Sequence, residues 1–145
     1  IDTAFHAARA ADPEATLFLN EYFFSYDLDD PRVVGFLRLL AGLLDRGVPI
    51  DGVGVQGHFN GITPTTSRAE FQTFLLALAN LGVRVEITEL DVSLAYFRNA
   101  PSPLASQAAL YRDIVGACAG VAACDGVTVW GLKDDDTWLD SAPLT

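Results

Sequence analysis

Apolar positions along the chain fall into runs of two lengths and two periods, separated by Gly and Pro. Residues 2–11 have helical composition and stop at Asp12-Pro13, because proline disfavours helix for the residue before it. Leu17-Phe18-Leu19 is an apolar run of strand length that ends at Asn20. Pro31 suits the first turn of a helix reaching Asp45, with Val34, Leu37, Leu40, Ala41 and Leu44 spaced for one buried stripe and Gly47 as its stop. Gly52–Val55 then reads as a strand. Ser67 with Glu70 three residues on has capping-box spacing for a helix through Leu81, which Gly82 ends. Residues 83–88 predict a strand, 104–120 a helix, and Val127–Trp130 a last strand.

Helix and strand thus alternate through four units, which argues for an α/β chain with a parallel sheet flanked by helices. A doubly wound sheet and a β/α barrel both fit. No Gly-x-Gly-x-x-Gly follows a strand, so a dinucleotide-binding fold loses its main signature. The polar groups Asn20-Glu21-Tyr22, Gln56-Gly57-His58, Glu89-Leu90-Asp91 and the ring of Trp130 all fall at C-terminal strand ends, the face that carries the active site in a β/α barrel. A full TIM barrel needs eight units and about 250 residues. Four units predict half of one.

Composition narrows the partners. Among 145 residues, 9 Lys and Arg face 19 Asp and Glu, a net charge of −10, so nucleic acid is not expected as a partner. Half the residues are hydrophobic, as in a packed core, yet no apolar run approaches the ~18 residues that span a bilayer, and no membrane role is expected. The chain starts at Ile1, holds no Met and shows no signal-peptide pattern, which reads as a processed, excised or incomplete product. Cys118 and Cys124 have no His or third Cys beside them, which speaks against zinc. They read either as a small disulfide clamping a helix end to the next strand, which implies an oxidising compartment, or as two unpaired buried thiols.

Glu89 ends its strand where a carboxylate can point into a barrel mouth as a nucleophile, and Glu86 competes for that role. Strict alternation puts Val85, Ile87 and Glu89 on one face and Glu86 and Thr88 on the other. Gln56 and His58, two apart, project to the same side. A histidine satisfied by backbone carbonyls is the plainer account of His58, and His6, in the first helix, is given no role. Trp130 and Trp138 offer flat faces suited to stacking on sugar rings, or serve as core aromatics. Asp134-Asp135-Asp136 lacks the spacing of a calcium loop and reads as solvated surface, so no metal site is expected.

In order along the chain, several segments together resemble glycoside hydrolase family 10, the endo-β-1,4-xylanases. They are Ala11-Asp12-Pro13, Leu17-Phe-Leu-Asn-Glu-Tyr22, Pro49-Ile-Asp-Gly-Val-Gly54, Gln56-Gly-His58, Thr88-Glu-Leu-Asp91, Thr128-Val-Trp-Gly131 and Thr137-Trp138. The resemblance implies that residues 1–145 are a partial catalytic domain, the fifth to eighth strands of a (β/α)8 barrel. It implies Glu89 as the nucleophile of a retaining glycosidase, with His58 and Asp91 in support. Gln56, Trp130, Trp138 and Tyr22 would line sugar subsites, and no cofactor is implied. The general acid would end the fourth strand, upstream of Ile1. The implied partners are xylan or xylo-oligosaccharides and the missing N-terminal half, and the implied location is extracellular. Phe23 stands where the family has an asparagine, Glu21 where it has an aspartate, and Leu139 where an arginine commonly follows the tryptophan. The alternative is a non-catalytic half-barrel that binds polysaccharide or pairs with a complementary half.

Overall fold

A computed structural model describes residues 1–60, 66–133 and 137–139, so the Asp134–Asp136 run lies outside the described residues. Helices begin where the sequence supplies caps. In α2 (Pro31–Asp45) the Asp30 side chain accepts from the Arg32 N–H at 2.8 Å ahead of Pro31, and in α3 (Arg68–Ala79) Ser67 and Glu70 bond each other's backbone N–H reciprocally. Gly47 (φ 75°) and Gly82 (φ 84°) turn the chain out of these helices in the left-handed conformation that glycine tolerates. α3 stops at Ala79, two residues short of Leu81, because Asn80 through Gly82 close the exit turn.

The buried face of α2 is Val33, Phe36, Leu40 and Leu43, rotated one position from the expected stripe; Val34, Leu37, Ala41 and Leu44 are only half-buried. This helix is apolar on most sides, so two overlapping stripes satisfy the same period and tertiary packing chooses between them.

Strands β1 (Phe18–Glu21), β2 (Gly52–Val55), β4 (Arg84–Val92) and β5 (Cys124–Val129) lie side by side in chain order, all parallel. The short β3 (His58–Phe59) continues the line of β2 along β4 after Gly57, whose φ is 81°. Helix α1 (Asp2–Ala11) precedes β1, and a 3-10 turn (Leu94–Phe97) and α4 (Pro103–Ala119) join β4 to β5. A doubly wound sheet reverses strand order at a switch point. Here the order never reverses, and the buried residues of α2, α3 and α4 form one cluster with Val53, Val55, Val85, Ile87, Leu90 and Val92 of the sheet. Helices on one face of a sequential parallel sheet are the arrangement of a β/α barrel wall. Among the described residues β1 pairs only with β2 and β5 only with β4, so the wall is open at both edges.

The other face carries larger side chains laid over glycines. The Phe18 ring covers Gly52, where a Cβ would lie 2.6 Å from its Cδ1, and the Arg84 guanidinium sits 5.7 Å from the ring centroid. Below, at the N-terminal ends of the strands, Asp51 accepts from the Leu17 N–H at 2.7 Å and pairs with Arg9 at 2.5 Å. Cys118 and Cys124 form a disulfide joining the end of α4 to the start of β5, which decides between the two readings of that pair.

β4 departs from strict alternation. Val85 and Ile87 face the helices, and so do Leu90 and Val92. Three steps on β4, Ile87 to Leu90, oppose two on β5, Val127 to Val129, and four steps, Ile87 to Asp91, oppose three from Val55 to His58. One extra residue is therefore accommodated at Thr88-Glu89, a β-bulge of the kind found beside active sites. The expectation that Thr88 and Glu89 occupy opposite faces is overturned: both turn toward the open face.

Candidate active site

The bulge delivers Glu89 to the C-terminal ends of the strands with a nitrogen within hydrogen-bond distance of each of its oxygens. Asn20 Nδ2, from the end of β1, donates to Glu89 Oε1 at 2.9 Å, and His58 Nε2, from β3, lies 3.2 Å from Oε2. His58 is buried, and its Nδ1 lies 2.9 Å from Asp91 Oδ1. The imidazole thus bridges the two carboxylates, one through each ring nitrogen. Asp91 in turn accepts from Trp138 Nε1 at 2.7 Å. The row Asn20, Glu89, His58, Asp91, Trp138 is thus continuous. The plainer account of His58, a ring satisfied by backbone carbonyls, does not describe this geometry, since both nitrogens face carboxylates.

Aromatic rings surround that row. Tyr22, Trp130 and Trp138 have centroids 5.8, 6.4 and 5.1 Å from the His58 ring, and both tryptophans are about half exposed, at 48% and 55%. The core-aromatic reading of the tryptophans therefore fails. Asn60 Nδ2 reaches the Tyr22 hydroxyl at 3.4 Å, a long contact. Gln56 is half-buried, and its backbone accepts from the Glu89 N–H at 2.9 Å, tying the bulge to the end of β2. Glu86 does not join the row. Its register partner is Gly54, two strand positions below Glu89.

Two positions that differ from the resembled family pattern have plain structural roles. Phe23 is buried with its ring 4.9 Å from Phe36 and 4.8 Å from Phe74, so it belongs to the core. Glu21 is exposed and its Oε1 accepts from the Tyr22 N–H at 2.9 Å. Asn20 is the site residue that strand-end position alone does not single out. Its signal is the glycine opposite it, Gly54, because a glycine inside a strand marks a close approach.

A carboxylate held through both oxygens at a barrel mouth, walled by exposed tryptophans, is the outline of a sugar-cleaving centre. The model of the glycosyl hydrolase family 10 matches residues 1–145. The chain belongs to that family. Endo-1,4-beta-xylanase A of Phanerodontia chrysosporium is 41% identical over 140 residues, 96% of this chain and 33% of that protein. An endo-1,4-beta-xylanase of Agaricus bisporus is 39% identical, over 96% of this chain and 40% of that protein. Among solved structures, a thermostable mutant xylanase from Cellvibrio japonicus superposes with a TM-score of 0.80 at 34% identity, covering 94% of this chain and 44% of that one. An intracellular xylanase from Thermoanaerobacterium saccharolyticum gives 0.82 at 30%, covering 98% and 42%. The fold is accordingly part of the family's (β/α)8 barrel. The chain spans 31–43% of the length of the curated relatives it matches.

Proposed function

We propose that residues 1–145 are the fifth to eighth strand units of an endo-1,4-β-xylanase catalytic domain and carry its nucleophile, Glu89. The observation that supports this reading is the carboxylate of Glu89 held on both oxygens, by Asn20 and His58, at the strand ends. A carboxylate held through both oxygens is aimed, as attack on an anomeric carbon requires. In the first step Glu89 bonds to that carbon as the glycosidic C–O bond breaks, and the departing oxygen takes a proton from a general acid; water then cleaves the glycosyl ester. Retention needs a second carboxyl about 5–5.5 Å away. We assign it to the N-terminal half of the barrel, whose strands would complete the open edges of β1 and β5.

His58 and Asp91 hold Glu89 from one side, and Tyr22, Gln56, Trp130 and Trp138 line the path of xylan or xylo-oligosaccharides. A family relative from Bispora was solved with xylobiose. The Cys118–Cys124 disulfide supports an oxidising, extracellular setting.

A substrate whose leaving group departs unprotonated isolates the step assigned to this chain. Incubated with 2,4-dinitrophenyl 2-deoxy-2-fluoro-β-xylobioside, the chain should gain the mass of one fluoroxylobiosyl group on Glu89, and Glu89→Gln should gain none. An unlabelled wild-type chain would remove Glu89 from the nucleophile role. The exposed tryptophan faces favour a second reading, a sugar-binding half-barrel without turnover. It predicts binding of xylohexaose that survives Glu89→Gln and is lost in Trp130→Ala.

A further inference from the structure

Asn20 belongs to β1 and Glu89 to β4, and β2 lies between them. The amide must therefore cross a whole strand to reach the carboxylate. It does so at Gly54, its register partner, where a Cβ would overlap Asn20 Oδ1 and lie 2.9 Å from Thr88 Cγ2 and 3.1 Å from Asn20 Cγ. No side chain larger than hydrogen leaves that passage open.

Crossing is not enough, because an asparagine amide has a donor end and an acceptor end. An ionised carboxylate only accepts, so Asn20 must present its NH2 group to Glu89. At the other end Thr88 Oγ1 donates to Asn20 Oδ1 at 2.7 Å. The bulge makes this possible, since it turns Thr88 to the same face as Glu89. We propose that Gly54 and Thr88 are positioning residues for Glu89, acting through Asn20: the glycine opens the crossing and the threonine hydroxyl fixes which end of the amide meets the carboxylate. The role assigned to Glu89 comes from the reading above, whereas the fixing of the amide stands on the geometry alone.

Two readouts separate the claims. In 15N-labelled chain, the Asn20 side-chain amide protons should exchange slowly with solvent. Thr88→Val should speed that exchange about tenfold and Thr88→Ser should restore it, because serine keeps the hydroxyl while valine keeps the shape. With the fluoroxylobioside, Thr88→Val and Gly54→Ala should each be labelled about fivefold more slowly, and Thr88→Ser at the wild-type rate. Should Gly54→Ala fail to fold, the threonine pair decides. Unchanged amide exchange in Thr88→Val, or a loss that Thr88→Ser does not restore, overturns the proposal. If the wild-type chain is not labelled at all, the nucleophile reading falls and the exchange measurement still judges the lock.

Discussion

The two faces of this sheet are built by different rules. On the helix side the central strands β2 and β4 contribute apolar side chains to a dry layer: Val53, Val55, Val85, Ile87, Leu90 and Val92 are all at most 2% exposed. Neighbours there are interchangeable in kind, since packing asks for volume and shape. On the open side Phe18 lies over Gly52 and Asn20 over Gly54, and each side chain works by reaching past its own strand. Stability therefore concentrates on one face and chemistry on the other, although the same backbone carries both.

That division breaks if substitutions on the helix side and the open side cost the same kind of thing. Phe74, fully buried with its ring 4.8 Å from Phe23 and 5.3 Å from Tyr26, should lose about 4 kcal/mol of unfolding free energy in urea as Phe74→Ala. Glu89→Gln should move the same transition by less than ~0.5 kcal/mol while abolishing labelling. Comparable losses from the two variants would mean that the faces are not separable. A smaller effect belongs to the disulfide. Its cysteines are six residues apart, so Cys118→Ser with Cys124→Ser should cost about 2 kcal/mol by loop entropy and leave labelling intact at low temperature.

The smallest expected effect sharpens the comparison at the opposite end of the strands. The Leu17 N–H and the Arg9 guanidinium hold the Asp51 carboxyl below the usual carboxylate range. A depressed folded value means that the unfolded chain binds more protons in acid, so this contribution is complete above about pH 4 and vanishes as pH falls through the folded value. Asp51 is partly exposed, so Asp51→Asn should cost about 1 kcal/mol at pH 7. The gap from wild type should close on acidification, and a gap independent of pH would show that the carboxylate charge contributes nothing.

Much of the helix side was legible in the sequence. Pro31, Ser67 with Glu70, Gly47 and Gly82 marked helix ends, and short apolar runs marked strands, because caps and turns are local chemistry. The stripe of α2 was misread by one position because eight of its residues between Val33 and Leu44 are Val, Leu or Phe, and no period separates two apolar faces. The open side was legible as a location, through polar residues at strand ends. Its connections were not: Asn20 and Glu89 are 69 residues apart, and only the register of three strands brings them together. A single unbroken alternation places Thr88 behind Glu89; the mark of the inserted residue is the polar doublet Thr88-Glu89, where the apolar positions pass from odd to even numbers.

The bulge also makes the aim of the carboxylate a matter of counting. Upstream of Thr88 the odd-numbered residues of β4 face the helices, and downstream the even-numbered ones do. Removing Thr88 would restore an unbroken strand with Leu90 and Val92 still on the helix side, but a single side chain would then stand on the open face between Ile87 and Leu90, so the carboxylate would lose the neighbouring hydroxyl. The dry layer would keep its phase, and the site alone would register the change in number.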